Sequence, residues 1–189
     1  MKSIIIFIIP LTILIIIYGQ NNENYYQERN EDFVNETDTF KLDTISILTN
    51  SNLSPLILCL ENAELKESKN IADIPVFIRE ALNNWTTDNF SIANKGENWQ
   101  ATDVVSEKGL PKRKLIYLGI GEDISLISYY IGGIGVSERI LIIRHNNENI
   151  IDFWCGYSFK DHKSKEEIIE YLKNNKDKKW GLNTNVIYL

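Results

Sequence analysis

The chain has 189 residues, a formal net charge of −6 and a hydrophobic share of 43%. This length indicates about one domain, and an aromatic share of 11% argues against a disordered chain. The acidic balance disfavours nucleic acid as a partner, because affinity for a phosphate backbone comes mainly from lysine and arginine.

The N-terminal segment has the pattern of an export signal. Lys2 precedes an apolar run over residues 4–17, broken only by Pro10 and Thr12, and Gly19 offers a small residue for cleavage. The run matches a signal-peptide core of about 7–15 residues and is short for a membrane span of about 20. We expect residues 1–19 to be a cleaved signal peptide or an uncleaved membrane anchor, with a buried core element as the third alternative. The first two alternatives both predict export, with the membrane contacted only through this segment.

The next two segments differ sharply in composition. Residues 20–40 are polar and acidic without a clear period, which is typical of a flexible linker. Residues 41–189 are expected to form a single α+β domain. Within it, residues 56–60 form a short apolar stretch that favours a buried strand, although periodicity alone leaves a helix open.

Two helices are predicted from periodicity and capping residues. Asp73 stands before Ile74 and Pro75 and can cap a helix over 74–85, in which apolar residues recur at a spacing of four. Ser164 with Glu167 forms a capping box. It begins a second helix that ends near Asn175.

Alternating and β-rich runs dominate the second half of the chain. Strands are predicted over 114–120, 124–131, 139–145 and 149–157, and 186–189 is a candidate edge strand. Short connections rich in Gly, Asn and Asp make consecutive strands antiparallel neighbours. Residues 86–113 indicate short strands and a long loop. The predicted architecture is an antiparallel sheet, a meander of about four strands, with two helices packed on one face.

Two glycine pairs lie in the strand connections, at 119–121 and 133–135. Neither has the third glycine and following helix of a dinucleotide-binding loop, so turns and bulges are the expected role and no cofactor is predicted. The loop at 131–137 is nevertheless the best candidate binding edge. Its candidate residues are Tyr129, Tyr130, Gly132, Gly133 and Gly135.

The cysteines and histidines suggest a second kind of site. Cys155 with His145 or His162 has the residue types of a thiol-dependent hydrolase or transferase. A turn at 146–149 sets position 145 opposite position 150. In this register Cys155 and His145 point to opposite faces of the sheet, and His145 shares its face with Asp152. A three-residue loop would instead place Cys155 on the same face as His145. We therefore assign no catalytic residue from the sequence.

Cys59 and Cys155 are the only two cysteines, and export would allow a disulfide between them. Two buried free thiols are the other interpretation and are slightly favoured over the disulfide. No metal site is predicted, because the histidines and cysteines lack paired ligand spacing.

Aromatic residues offer a third kind of site. They pack in a core or line a ligand pocket between helix and sheet, and core packing is the favoured interpretation. The residues concerned are Trp85, Trp99, Phe153, Trp154, Tyr157 and Trp180.

Three functions follow from these patterns. The favoured one is an exported or membrane-tethered, non-enzymatic domain that binds a protein or envelope partner through a sheet face or the 131–137 loop. The alternatives are a small-ligand-binding protein with an aromatic pocket and the thiol-dependent enzyme. A purely structural role is the remaining possibility.

Overall fold

The computed structural model describes residues 41–103, 108–146, 148–177 and 189. The predicted leader, linker and most of the candidate C-terminal strand lie outside these residues. The helices are α1 (Thr44–Thr49), α2 (Leu53–Asn62), α3 (Val76–Trp85) and α4 (Lys165–Asn175). The strands are β1 (Lys66–Glu67), β2 (Ile92–Ala93), β3 (Arg113–Ile120), β4 (Ile124–Ile131), β5 (Ser137–His145) and β6 (Ile150–Ser158).

The four long strands form an antiparallel meander in chain order, so the predicted α+β class and sheet are confirmed. Strand β1 pairs antiparallel with the far end of β3, and β2 pairs in parallel with its start. Local hydrogen bonds close the tight turns. The side chain of Asn146, for example, accepts from the backbone N–H groups of Glu148 and Asn149.

A bulge interrupts the pairing of β5 with β6. Arg144 lies opposite Asp152, but the next residue, His145, lies opposite Ile150. Ile151 therefore has no partner on β5, and its side chain is half exposed. Beyond such a bulge, each side chain of the bulged strand points to the face opposite to the one that regular alternation would give it.

Helices cover both faces of the sheet. We call the face that carries Ile142 and Trp154 the first face, and the one that carries Leu141 and Phe153 the second face. On the first face, the indole N–H of Trp154 donates to Asn50, which lies between α1 and α2, at 3.0 Å.

Helix α4 also lies on the first face, whereas α3 lies on the second. Tyr171 of α4 packs on His162, whose ring binds the first-face residue Glu138. On the second face, Trp85 of α3 packs edge-on against Phe153 at 5.0 Å between ring centroids. The two predicted helices are thus on opposite faces rather than on one, and α1 and α2 add to the first.

The segment at 56–60 is helical, not a strand. Leu53, Leu56, Ile57 and Leu60 are buried at the spacing of one helix face. Pro55 falls in the first turn of α2, where its missing N–H costs no helical hydrogen bond.

The two predicted helices are confirmed with one change of cap. Helix α3 begins at Val76, and Asp73 accepts a hydrogen bond from the Ser68 hydroxyl instead of capping it. Ser164 caps α4 as predicted, accepting from the N–H of Glu167.

A buried arginine joins three segments beside the second face. The Arg113 guanidinium donates to the Asp88 carboxylate and to the Leu189 carbonyl, each at 2.6 Å. It also lies 5.0 Å from the centroid of the Phe90 ring. Its cation is therefore paired, as a buried charge requires.

Replacing this arginine tests its structural role. We expect Arg113→Met to lower the free energy of unfolding by about 2–3 kcal/mol, because Asp88 and Leu189 each lose a hydrogen bond to a charged donor. The measurement is urea unfolding followed by circular dichroism. The control is Lys112→Met, a change at the exposed neighbouring residue, which should shift stability by less than about 0.5 kcal/mol. Equal effects of the two variants would contradict the role assigned to Arg113.

No helix in the described part of the chain is long and apolar enough to cross a membrane. The apolar run at 4–17 lies outside that part.

Candidate functional site

The loop between β4 and β5 is fixed at its base by a neighbouring segment. Gly132 donates to the Lys112 carbonyl at 3.0 Å, and Gly133 pairs with Thr102. A Cβ atom at Gly132 would lie 2.3 Å from the Gln100 carbonyl oxygen. Only glycine permits this approach, so the glycine at 132 holds the loop against residues 100–102.

The tip of this loop carries apolar side chains into solvent. Ile134 is completely exposed, at 104% relative accessibility, and Val136 is 46% exposed. Because Glu138 pairs with Ser158, Phe159 emerges at the same end of the sheet, and it is 77% exposed. We call Ile134, Val136 and Phe159 the hairpin-end patch.

Aromatic and basic groups adjoin the patch. The Tyr157 ring contacts Phe159 edge-on at 5.4 Å between centroids, and the Arg139 guanidinium lies 5.4 Å from the Tyr157 centroid. Beside the loop, Trp99, which precedes the 100–102 segment, stacks on Tyr130 of β4 at 5.9 Å between ring centroids. These four side chains are half-buried, so each presents one edge to solvent at this end of the sheet.

The predicted binding residues separate into two groups. Gly132, Gly133 and Gly135 shape the exposed loop, and Tyr130 lies half-buried beside it. Tyr129 is fully buried on the second face, where it packs edge-on against Phe90 at 5.4 Å. Tyr129 is thus a core residue rather than a contact residue.

A buried polar network lies directly behind the loop, on the first face. Both oxygens of the Glu138 carboxyl group are engaged: one accepts from the Ser128 hydroxyl and the other from Nδ1 of His162, at 2.6 Å. Glu138 and His162 are both buried. Tyr171 covers the His162 ring at 4.6 Å and donates to the Tyr157 carbonyl. The network ties the 159–164 segment to the start of β5.

The environment at the edge of this network is both desolvated and acidic. Burial and the nearby Asp161 carboxylate raise the pKa of the Tyr130 hydroxyl, so it remains protonated at neutral pH. Sequence reasoning missed this network. The only signal for it was the interruption of an apolar strand by Ser128, which indicates a buried polar partner nearby.

Cys155 does not meet either histidine. A turn at 146–149 predicts Cys155 and His145 on opposite faces, but the bulge at Ile151 places them on the same face. However, Cys155 lies opposite Leu141, four residues from His145, which corresponds to roughly 13 Å along a strand. His162 is on the opposite face. Burial raises the pKa of the Cys155 thiol to about 12, which opposes formation of a nucleophilic thiolate.

His145 forms a separate buried pair with Ser125 on the second face. Its Nδ1 contacts the Asn146 carbonyl, which can only accept, so Nδ1 carries the proton and Ser125 donates to Nε2 at 3.0 Å. Phe77 packs edge-on against the ring. Asp152, the expected neighbour of His145, instead accepts from Asn52 on the other face.

The candidate disulfide is not formed, and both cysteines are free thiols. Cys59 lies on α2, which packs on the first face, whereas the side chain of Cys155 points to the second face. The sheet itself separates them. A disulfide needs Cα atoms within about 7 Å, which this placement does not provide.

The described residues show no metal cluster. None of their His, Cys, Asp and Glu side chains form a group of three that could hold a metal ion. Phe153 and Trp154 are buried on opposite faces as core residues, and a groove between α2 and α4 is lined mainly by charged side chains. Trp180 lies outside the described residues.

Comparison with protein-family models, with curated proteins and with solved structures finds no match to this chain. Function has to be inferred from the contacts and exposure of its own residues.

The thiol assignments predict a specific reactivity pattern. Without prior reduction, a disulfide-exchange reagent should titrate one thiol in the native protein, the half-buried Cys59, and two in denaturant. Cys59→Ser should leave no reactive thiol in the native state. Two thiols that appear only after reduction would contradict the structure.

Burial of His145 predicts a pH dependence of stability. Burial lowers its pKa below the usual 6.5, so on acidification the unfolded chain takes up a proton that the folded chain resists. Stability should therefore fall as the pH drops below 6.5. His145→Gln removes this contribution while keeping a partner for Ser125. The stability advantage of the wild type over this variant, measured by urea unfolding, should shrink on acidification. An advantage that is constant across pH would refute the assignment.

Proposed function

We propose that this chain is an exported or membrane-tethered, non-enzymatic binding domain that contacts a protein or envelope partner through the hairpin-end patch. The observation that carries the proposal is the complete exposure of Ile134 at the tip of a loop whose base is fixed. An isoleucine in this position makes no contribution to the core, and its exposure to water is unfavourable unless a partner covers it.

The surroundings of the patch support a contact role. Binding surfaces are enriched in aromatic residues and arginine, and Phe159, Tyr157 and Arg139 adjoin one another here. The loop base is held by Gly132, and the 159–164 segment is held by Glu138 and His162. A contact surface that is already ordered loses less conformational entropy on binding.

The export component of the proposal is supported by the sequence of the N-terminal segment. An apolar run of signal-peptide length is followed by a polar stretch that can act as a spacer. Such a spacer would let the binding domain reach a partner while it remains attached to, or is released from, the membrane.

Site-specific cross-linking tests the contact surface. The full chain, expressed in an exporting host, would carry a photoreactive benzoylphenylalanine at position 134 or, as a control, at position 122. Glu122 is exposed in the turn at the opposite end of β4. We expect light-dependent adducts, with protein or with lipid, from position 134 but not from position 122. Phe159→Ser should reduce these adducts by removing the neighbouring apolar contact.

Two outcomes would refute the proposed contact surface. One is the absence of any adduct from position 134, and the other is the same adduct pattern from both positions. Circular dichroism of each labelled protein confirms that the substitutions leave the fold intact.

A further inference from the structure

The two ends of the sheet differ in charge, although the chain is acidic overall. Several basic side chains lie at the end with the hairpin-end patch. Lys112 and Lys160 are exposed, and Lys114 and Arg139 are half-buried. The register places them at the same end of the sheet: Lys114 lies opposite Tyr130, and Arg139 opposite Tyr157, which precedes Lys160 by three residues.

Among the described residues, the exposed acidic side chains in the connections at this end are Asp103 and Asp161. The turns at the opposite end carry Glu122, Asp123 and Glu148, all exposed. Arg144 lies 4.0 Å from Asp123. The hairpin-end patch therefore projects from the end of the sheet with the basic side chains, and that end is complementary to an anionic surface.

The shape of the patch favours a lipid surface over a protein surface. A stable protein interface buries about 800 Å² on each partner, contributed by some 20–30 residues. The hairpin-end patch consists of three apolar side chains on two separate protrusions. A bilayer requires no matching shape, and it accepts isolated apolar side chains at the boundary between headgroups and acyl chains.

The aromatic residues lie where a membrane interface would meet the domain. Trp99, Tyr130 and Tyr157 are half-buried just behind the apolar tips. Tryptophan and tyrosine favour the headgroup level, because their rings are apolar and their N–H or O–H groups reach water. The basic side chains beside them can contact lipid phosphates at the same level.

We propose that the hairpin-end patch docks on the surface of an anionic phospholipid bilayer. Ile134, Val136 and Phe159 enter the headgroup region, and Lys112 and Lys160 bind lipid phosphates. This inference rests on the proposed function, since it names the partner of the same surface. It also adds a membrane contact within the domain to the one expected from the N-terminal segment.

A fluorophore at the tip reports this contact separately from any binding by the N-terminal segment. The full chain carries Cys59→Ser, which leaves only the buried Cys155, and Ile134→Cys labelled with the environment-sensitive dye NBD. Vesicles contain phosphatidylglycerol and phosphatidylcholine in equal parts, or phosphatidylcholine alone. We expect NBD emission to rise and shift to the blue on the anionic vesicles only. High salt should reverse the change by screening the lysines.

Two matched variants locate the contact. The same dye at Glu122→Cys should show no change with either vesicle, because that turn lies at the acidic end. The charge-neutralised variant Lys112→Gln/Lys160→Gln, labelled at position 134, should lose most of the response. Both lysines are exposed, so their replacement leaves the core intact.

The outcomes separate this inference from the proposed function. An unchanged dye at position 134, together with cross-linking of position 134 to protein, overturns lipid docking and leaves the binding function in place. An unchanged dye together with no adduct at position 134 overturns both. An equal response at positions 134 and 122, or on neutral vesicles, also overturns lipid docking, because it shows non-specific adsorption.

Discussion

The uninterrupted antiparallel pairing of β4 with β5, from Ile124 opposite Arg144 to Ile131 opposite Ser137, is the constraint on which the rest of the structure depends. It places the two buried serines of β4, Ser125 and Ser128, on opposite faces of the sheet because they are three residues apart. Each serine then meets the one buried ionisable side chain of β5 on its own face: Ser125 binds His145, and Ser128 binds Glu138. A slip of one residue would turn the two serines to the opposite faces, and each of these four buried polar groups would lose one hydrogen-bond partner.

Coverage of the sheet on both faces limits where a contact surface can lie. The outer edge of β6 is also occupied, because Asn52 donates to the Phe153 carbonyl and Tyr171 to the Tyr157 carbonyl. Such side-chain capping of an edge strand opposes pairing with a further strand. The two ends of the sheet stay open to solvent, and they differ chemically: one has acidic turns, and the other has apolar tips among lysines. The fold thus places Ile134 and Phe159, the two most exposed large apolar side chains of the described residues, at the same end.

The four long strands and both predicted helices were accessible from the sequence, because glycine and asparagine turns, alternation and the Ser164 cap are local signals. The antiparallel pairing of consecutive strands was accessible too, but the faces on which the helices pack and the side-chain contacts between elements were not. The apolar stretch at 56–60 is a helix because its buried leucines follow a period that a five-residue window cannot show.

The bulge at Ile151 has no signature in the sequence, and it alone reversed the expected facing of Cys155. The contact between Glu138 and His162 joins residues on different elements, so it follows from the three-dimensional path of the chain. The glycines lie in the connection between β4 and β5, where the strand pattern places them. Tyr129 and Tyr130 differ in exposure because Tyr129 packs against Phe90, a contact that no local pattern shows.

The buried network behind the loop is best understood through the free energy of holding an apolar side chain in water. A flexible loop would fold back and bury Ile134 against the domain, because burial of an aliphatic side chain is favourable by about 1.5–3 kcal/mol. Two features oppose that collapse. Gly132 binds the loop base to residues 100–102, and the carboxyl group of Glu138 is engaged on both oxygens two residues after Val136. Breaking either feature would leave buried polar groups without a hydrogen-bond partner, at a cost of about 1–3 kcal/mol each, which is comparable to what the collapse would return. The core polar network and the exposed tip are therefore two parts of one arrangement, in which buried hydrogen bonds keep an apolar surface available.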